Sequence, residues 1–336
     1  MGTNLADRLL RDGHRVRVLD DLSRPGVVRN LDWLESQHGS RLRVDVSDLH
    51  DEVALRRAAR GADTVFHFAA QVAVTTSLED PVHDARVNLE GTLALLEEAR
   101  RSRLPVIFTS TNKVYGNLED VALARHNGRW VPADSELRCF GVAEERPLRF
   151  CTPYGCSKGA ADQYVLDYAS SYGLPTVVFR MSCVYGPHQF GNEDQGWVAH
   201  FAIRGLDDEP ITIYGDGRQV RDVLFVDDLI EAFLLARARL RSLAGLAFNI
   251  GGGPPNAVSL LEVLELVEDL TGRRPAVEQR EWRQGDQRWY VSDTRRFRAV
   301  TGWRPRVSPS EGVAALCAWL SEERALAPVT AAEAAG

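Results

Sequence analysis

Within Tyr154-Gly155-Cys156-Ser157-Lys158, a phenol and an ammonium stand four residues apart. On a helix that spacing puts both on one face, where they can act on a single point. A neighbouring cation stabilises a phenolate, so Tyr154 is expected to have a lowered pKa and to serve as a base near neutral pH. Taken alone, the pair fits a tyrosine packed along a lysine stem equally well. A second run, Thr109-Ser110-Thr111-Asn112-Lys113-Val114-Tyr115-Gly116, follows directly on the apolar stretch Val106–Phe108. Ligands of an open parallel sheet bind beyond the carboxyl ends of its strands, so a hydroxyl here could meet a reacting substrate oxygen. A polar turn whose hydroxyls satisfy free backbone groups is the plain alternative. Third, Asp20 closes the stretch Arg15–Leu19. A carboxylate there can accept hydrogen bonds from ribose hydroxyls and repels a 2′-phosphate, whereas the nearby Arg24 could receive one. Of the 40 basic residues only Lys113 and Lys158 are lysines, and both fall in these runs. A compact ammonium tunes a neighbouring pKa better than a bulky guanidinium does.

Such residues need a scaffold that gathers strand ends. The pattern predicts a helix over 3–11 and strands over 15–19 and 42–46. A helix over 51–60, a strand over 63–68, a long helix over about 81–101 and a strand over 106–109 come next. A polar loop is expected from Gly116 to about Phe150, followed by a helix over 154–172 and a strand over 176–180. Short strands at 211–214 and 247–250 and helices at about 226–240, 259–270 and 310–322 complete the expectation. Strands alternating with helices imply parallel βαβ units, hence an α/β, Rossmann-like doubly wound sheet. That sheet domain is expected over 1–182 and a smaller substrate-binding lobe over 183–324, with some segments returning to the sheet. The alanine-rich stretch 325–336 reads as a disordered tail.

Composition narrows the function. A net charge of −7 without a basic stripe argues against a nucleic-acid partner, so an anionic ligand must be held by a few local arginines. The five cysteines are scattered, with no CxxC pair and no Cys/His spacing for a metal, which suits a reduced, cytoplasmic protein without a metal site. No apolar run is long enough to cross a bilayer, so no membrane partner is expected.

In chain order, Asp20, Asp45-Val46, His67-Phe68-Ala69-Ala70-Gln71, Ser110-Thr111, Tyr154 with Lys158, and Arg180…Tyr185-Gly186-Pro187 resemble the extended short-chain dehydrogenase/reductases. Within these the likeness is to the NAD-dependent epimerase/dehydratase family, and it runs from Gly2 to about Leu320. The runs Ser110–Gly116, Pro153–Lys158 and Asp194-Gln195-Gly196-Trp197 are similar to the CDP-tyvelose (CDP-paratose) 2-epimerase branch. The resemblance implies NAD as cofactor. Gly2 would open the first helix, Asp20 with Ser23 and Arg24 would hold the adenosine ribose, and Asp45 and Val46 would flank the adenine. Ala69, Ala70 and Gln71 would run along the diphosphate and nicotinamide, with Asn88 supporting. Tyr154 would be the base, Lys158 would bind the nicotinamide ribose and tune Tyr154, and Thr111 would share the substrate hydroxyl. Gln189, Arg221 and Arg283 would meet a nucleotide-diphosphate sugar, the arginines through charge-assisted contacts to phosphate. A surface ion pair is the alternative for each arginine. Cys183 reads as a pocket filler rather than a nucleophile.

The implied activity is epimerisation by transient oxidation to a keto sugar and hydride return, at C2 of a CDP-linked sugar or, alternatively, at C4 of a UDP-sugar. Nucleotide-sugar 4,6-dehydratases are similar but carry Asp-Glu after the active-site threonine. Asn112-Lys113 here cannot do that acid–base work. A homodimer through helices spanning roughly 82–102 and 154–172 is also implied. The family opens with a strand and a G-x-x-G-x-x-G turn whose amides receive a pyrophosphate. Here only Gly2 matches, as the last glycine of that turn. The expectation is that residues encoded ahead of Met1 supply the segment, because Asp20, Thr111, Tyr154 and Lys158 are all retained. A non-catalytic relic or cofactor sensor is the other reading.

Overall fold

The computed structural model describes residues 1–326, so all but the first two residues of the expected tail lie outside the described residues. Helix α1 (Gly2–Arg11) buries Leu5, Leu9 and Leu10 and leads into β1 (Val16–Asp20). Helix α2 (Val27–His38) leads to β2 (Leu42–Val46). Asp51 caps α3 (Glu52–Ala59) by accepting from the Val53 and Ala54 amides, and β3 (Val65–His67) follows. After α4 (Val74–Glu79) the chain forms one helix in three sections: α5 (Pro81–Ala85), a π turn (Arg86–Glu90) and α6 (Gly91–Ser102). Then come β4 (Val106–Thr111), the hairpin β5 (Leu123–His126) and β6 (Arg129–Pro132), α7 (Ser135–Phe140), α8 (Thr152–Tyr172) and β7 (Thr176–Met181).

Strand β4 is buried along its whole length and pairs in parallel with β3 and β7. Strand β11 (Leu246–Ile250) adds to β7, giving the order β11-β7-β4-β3. These strands are rich in buried apolar residues, as a sheet covered on both faces requires, with polar residues gathered toward their carboxyl ends. One face carries α6 and α8, where Leu95, Leu96, Ala161 and Val165 meet Phe108. The other carries α10 (Val226–Ala238), with Phe233 against Ile107 and Phe179. Strands β1 and β2 form a separate parallel pair with Asp20 opposite Val46. Among the described residues no backbone bonds join β1 to β3. Side chains link them instead: Val16, Phe66 and Phe68 share one core with Leu5 and Leu9.

The second half of the chain builds a further group of strands and helices. Strand β10 (Val220–Phe225) is central, parallel to β8 (Cys183–Tyr185) and β14 (Trp289–Tyr290) and antiparallel to β12 (Ala257–Ser259). A parallel pair, β9 (Ile211–Tyr214) with β13 (Val277–Arg280), lies beside it. Helices α9 (Trp197–Asp207), α12 (Leu260–Thr271) and α14 (Pro309–Leu326) share a core with β10. The short α11 (Leu240–Leu243) and α13 (Arg295–Thr301) complete the chain.

Three expectations change. The stretch 116–150 is not a plain loop: Asn127-Gly128, both at positive φ, turn the β5–β6 hairpin, and Asp134 caps α7. An Asn-Gly pair is a strong hairpin signal, because both residues accept the left-handed conformation that such turns demand. The predicted helix over 81–101 is interrupted by the π turn. At the far end α14 continues to Leu326, through the first two residues of the expected tail.

A buried ion pair ties α8 to the sheet. Asp162, fully buried, accepts from Arg180 Nε at 3.0 Å and Nη2 at 2.9 Å, and Arg180 Nη1 donates to Tyr115 Oη at 3.2 Å. Removing one partner strands the other charge in the interior. Asp162→Ala is therefore expected to cost about 3–5 kcal/mol, read as a lower urea midpoint at unchanged m-value. A loss within error of zero would contradict this.

Candidate active site

Ser110 and Thr111 lie inside β4 rather than in a turn beyond it, because their backbone continues to pair with Arg180 and Met181 of β7. Thr109 donates its hydroxyl to the His67 carbonyl at 2.8 Å, and its own carbonyl accepts from Lys158 Nζ at 2.7 Å. Lys158 is 2% exposed, with Nζ 4.3 Å from the Phe108 ring centroid. Tyr154, one turn earlier on α8, is also buried, with the Thr111 side chain near enough to lower its pKa. Tyr154 and Lys158 thus share one face of α8, as their spacing predicted, and Thr111 lies near Tyr154.

Their electrostatics differ from expectation in one respect. Burial pushes Tyr154 up to about 12, Asp84 adds to the rise, and the nearby Thr111 side chain only partly opposes it. Lys158 does not offset this, because its ammonium is aimed at the Thr109 carbonyl instead of the phenol. Burial lowers Lys158 itself to about 7, against the pull of Asp162 and Asp84.

Behind this pair sits a polar network absent from the sequence expectation. Asn88, in the π turn, donates to the Gln71 carbonyl at 3.0 Å and to Asp84 Oδ1 and Ser157 Oγ at 3.1 Å each. Ser157 donates to the other Asp84 oxygen, and Gln71 Nε2 reaches Asp84 Oδ1 at 3.1 Å. The π turn widens the helix at the point where Asn88 must face α8, a common use of such turns. Two buried oxygens here, Asn88 Oδ1 and Ser110 Oγ, have no partner. The spacing of Asp84 and Asn88 by four residues was the only sequence signal for this network.

The cofactor-side candidates line the carboxyl ends of β1, β2 and β3. Asp20 accepts from the Leu22 amide at 2.8 Å and is raised by burial, with Arg24 opposing. Ser23 is turned onto Asp21, its hydroxyl donating at 2.7 Å. Arg24 reaches across to the Gln195 side chain. Asp45 is paired with Arg57 at 2.5 Å, while Val46 is 60% exposed. Ala69 and Ala70 form the loop after β3, and Gln71 folds back onto Ala73. The first turn of α1, from Gly2, has no side-chain cap.

On the opposite side, Arg221 is buried, and its guanidinium donates to the Val220 carbonyl at 2.8 Å. The alternative of pairing with Asp222 does not arise, since that carboxylate accepts from Ser182 Oγ at 2.5 Å and the Gly253 amide at 3.0 Å. Arg283 does form an ion pair: it lies 3.2 Å from both Glu193 and Asp194, with its guanidinium 3.6 Å from the Tyr214 ring centroid. Gln189 donates to the Val184 carbonyl at 3.2 Å, leaving its buried Oε1 without a partner. Cys183 accepts from Trp197 Nε1 at 3.3 Å, and burial raises its thiol, as suits a space-filling role. Missed from sequence is the place of Lys113, whose Nζ donates to the Gly285 carbonyl at 2.8 Å. Gly285 has φ +83°, and a Cβ there would lie 2.7 Å from Thr152 Cγ2, so the loop carrying Arg283 can approach α8 this closely only with glycine.

A separate open concavity of about 680 Å³, lined by Asp63, Thr64, Pro105 and Arg237, lies at the amino-terminal edge of β3 and β4. It contains none of these groups, and the carboxyl edge is where an open α/β sheet binds ligands. Among the described residues no cluster of His, Cys, Asp or Glu could hold a metal, and no helix is long and apolar enough to cross a membrane.

Residues 1–251 match the NAD dependent epimerase/dehydratase family, and the chain belongs to it: an NAD-dependent enzyme family on a Rossmann-like sheet. It is 41% identical over 329 residues to the CDP-paratose 2-epimerase of Salmonella typhi, covering 96% of each chain. It is 34% identical to the UDP-glucose 4-epimerase of Mycolicibacterium smegmatis, covering 94% of this chain and 93% of that one. Among solved structures it is similar to the Thermus thermophilus UDP-glucose 4-epimerase complex with NAD, with a TM-score of 0.80 and 33% identity over 95% of both chains.

The lowered Lys158 pKa has a stability consequence. Folding disfavours its proton, so the cost is complete below about pH 7 and fades as pH rises toward the ordinary value of 10.5. Lys158→Met is expected to raise Tm relative to wild type by more at pH 6 than at pH 10. Equal differences at the two pH values in thermal scans would refute it.

Proposed function

We propose that this protein is a nucleotide-sugar epimerase that inverts C2 of a CDP-linked sugar through a transient keto sugar. The observation that carries this reading is the Tyr154–Thr111 hydroxyl pair at the carboxyl end of β4, with Lys158 beneath it. The residues present fit NAD. The Asp20 carboxylate, with Arg24 beside it, suits ribose hydroxyls, and the uncapped amides of α1 suit a diphosphate. Lys158 and the unpartnered Asn88 Oδ1 and Ser110 Oγ suit the nicotinamide end. When bound, NAD would supply a reversible hydride acceptor and a positive charge.

The chain's own groups then act on the sugar. Thr111 shares the hydroxyl of the reacting carbon and orients it toward Tyr154. Tyr154 takes the hydroxyl proton as the carbon is oxidised and gives it back to the keto oxygen afterwards. Lys158, tied to the Thr109 carbonyl, holds its charge below both. Net inversion requires the sugar to present its other face while the nucleotide stays anchored. Dehydration is disfavoured by chemistry: Asn112 is engaged with Gln287 at 3.3 Å and Lys113 with Gly285, so no carboxyl pair stands beside Thr111 to remove water. Support for C2 and a CDP-sugar comes from the 41% identity to the Salmonella typhi enzyme and from the Ser110–Gly116 run.

Incubation with NAD and CDP-, UDP- or dTDP-sugars in heavy water is expected to invert C2 of a CDP-sugar without solvent deuterium. Tyr154→Phe is expected to reduce this turnover about 10²–10⁴-fold while still binding NAD. Inversion of a UDP-sugar at C4, a 4-keto-6-deoxy product, deuterium at the neighbouring carbon, or unchanged turnover by Tyr154→Phe would each overturn the reading.

The same reading includes a cytoplasmic homodimer. All five cysteines are free, in keeping with a reducing compartment. The helices expected to pair expose Val82 (76%), Tyr164 (45%) and Tyr172 (55%). Sedimentation is expected to give a dimer that Tyr164→Glu converts to monomer, and a wild-type monomer at micromolar concentration would refute the pairing.

A further inference from the structure

Lys113 stands in the turn directly after β4, two residues beyond Thr111, on the substrate side of the site. One of its three donors is spent on the Gly285 carbonyl. The groups that face it come from four elements: Arg221 on β10, Asp286 in the loop before β14, Cys183 on β8, and Cys151 at the start of α8. Arg221, 8% exposed, forms no salt bridge among the described residues, and neither does Lys113. Two cations therefore lie near one another in a partly enclosed space, and among the described residues neither is paired with a carboxylate. Unpaired charges are costly to bury, and such an arrangement is favourable only when a polyanion enters it. Arg283, by contrast, is already matched by Glu193 and Asp194.

We propose that Lys113 joins Arg221 in a two-cation clasp on the diphosphate of the substrate, a role that rests on the nucleotide-sugar reading above. Burial and the Arg221 charge bring the free ammonium down to about 8, with Asp286 and the two cysteines opposing. An entering diphosphate restores the proton, so binding and proton uptake are linked. Nucleoside diphosphate affinity then falls as pH rises through 8.

The test is calorimetric titration of the NAD-saturated full chain with CDP, and with UDP as a second probe, in buffers of different ionisation enthalpy. Wild type is expected to take up a fraction of a proton at pH 8 and to lose about tenfold in affinity between pH 7.5 and 9. Lys113→Met should bind more weakly at pH 7.5 with no proton uptake. Lys113→Arg should keep the affinity and lose the pH dependence, which also guards against a folding defect in the methionine variant. If Lys113→Arg retains the pH dependence, another group is its source and the clasp is wrong. The clasp is also wrong, with the nucleotide-sugar reading intact, if Lys113→Met binds CDP like wild type. Failure of wild type to bind either nucleotide overturns both.

Discussion

An ammonium with 2% exposure has to be held in place by everything around it, and Lys158 is such a group. Desolvating a charge of this size costs several kcal/mol unless partners repay it. The repayment comes from the Thr109 carbonyl, the Phe108 ring face, and the negative fields of Asp84 and Asp162. Each partner imposes a structural demand. The carbonyl requires α8 to lie flat across β4, and Asp162 must be shared with Arg180 of β7. Asp84 must be drawn in from α5 through Ser157, Asn88 and Gln71. The helix, two strands and the π turn are thus arranged around one charge, whose lowered pKa shows that the repayment is incomplete. Sites that serve chemistry commonly retain such a residual cost.

The same logic divides the cations of the site. Arg180 is matched inside the fold by Asp162, and Arg283 is matched by Glu193 and Asp194. Arg180 locks α8 to the sheet, and the Arg283 ion pairs hold the stretch 187–196 beside Tyr214 of β9. That stretch is also reached from the cofactor side. Asn4 donates to the Pro187 carbonyl at 3.0 Å, Asn30 to the His188 carbonyl at 3.0 Å, and Arg24 to Gln195. Trp33 packs on His188 with ring centroids 4.1 Å apart. One stretch, 187–196, thus touches both Asn4, Arg24 and Asn30 near the strand ends of the sheet and Arg283 in the second half of the chain.

Much of this was legible in the chain. Alternating apolar runs and helical patterns gave the parallel sheet, because buried strands cannot hide their β-branched composition. The four-residue spacing of Tyr154 and Lys158 announced a shared helix face, and Thr111 announced its place by following the Val106–Phe108 strand. What could not be read were directions and pairings. Nothing in the sequence says that Lys158 turns to Thr109 rather than to the phenol, or that Asp45 is taken by Arg57. Both depend on which elements lie adjacent in space. The hairpin at Asn127-Gly128 was readable and was hidden only by the polarity of its surroundings.

The phenol is the place where these constraints meet. Buried beside Asp84, Tyr154 holds its proton far more firmly than an exposed tyrosine does, so the resting site is not a strong base. What could release that proton is a positive charge brought close in a low-dielectric setting, where such interactions are strongest. The fold supplies the setting by excluding water, and the Thr111 hydroxyl supplies a path for the proton toward the substrate oxygen. Lys158 contributes chiefly as an anchor of geometry, which explains why its ammonium points at backbone. The proton affinity of Tyr154 is thus set by burial and by Asp84, and a positive charge brought near it would lower that affinity.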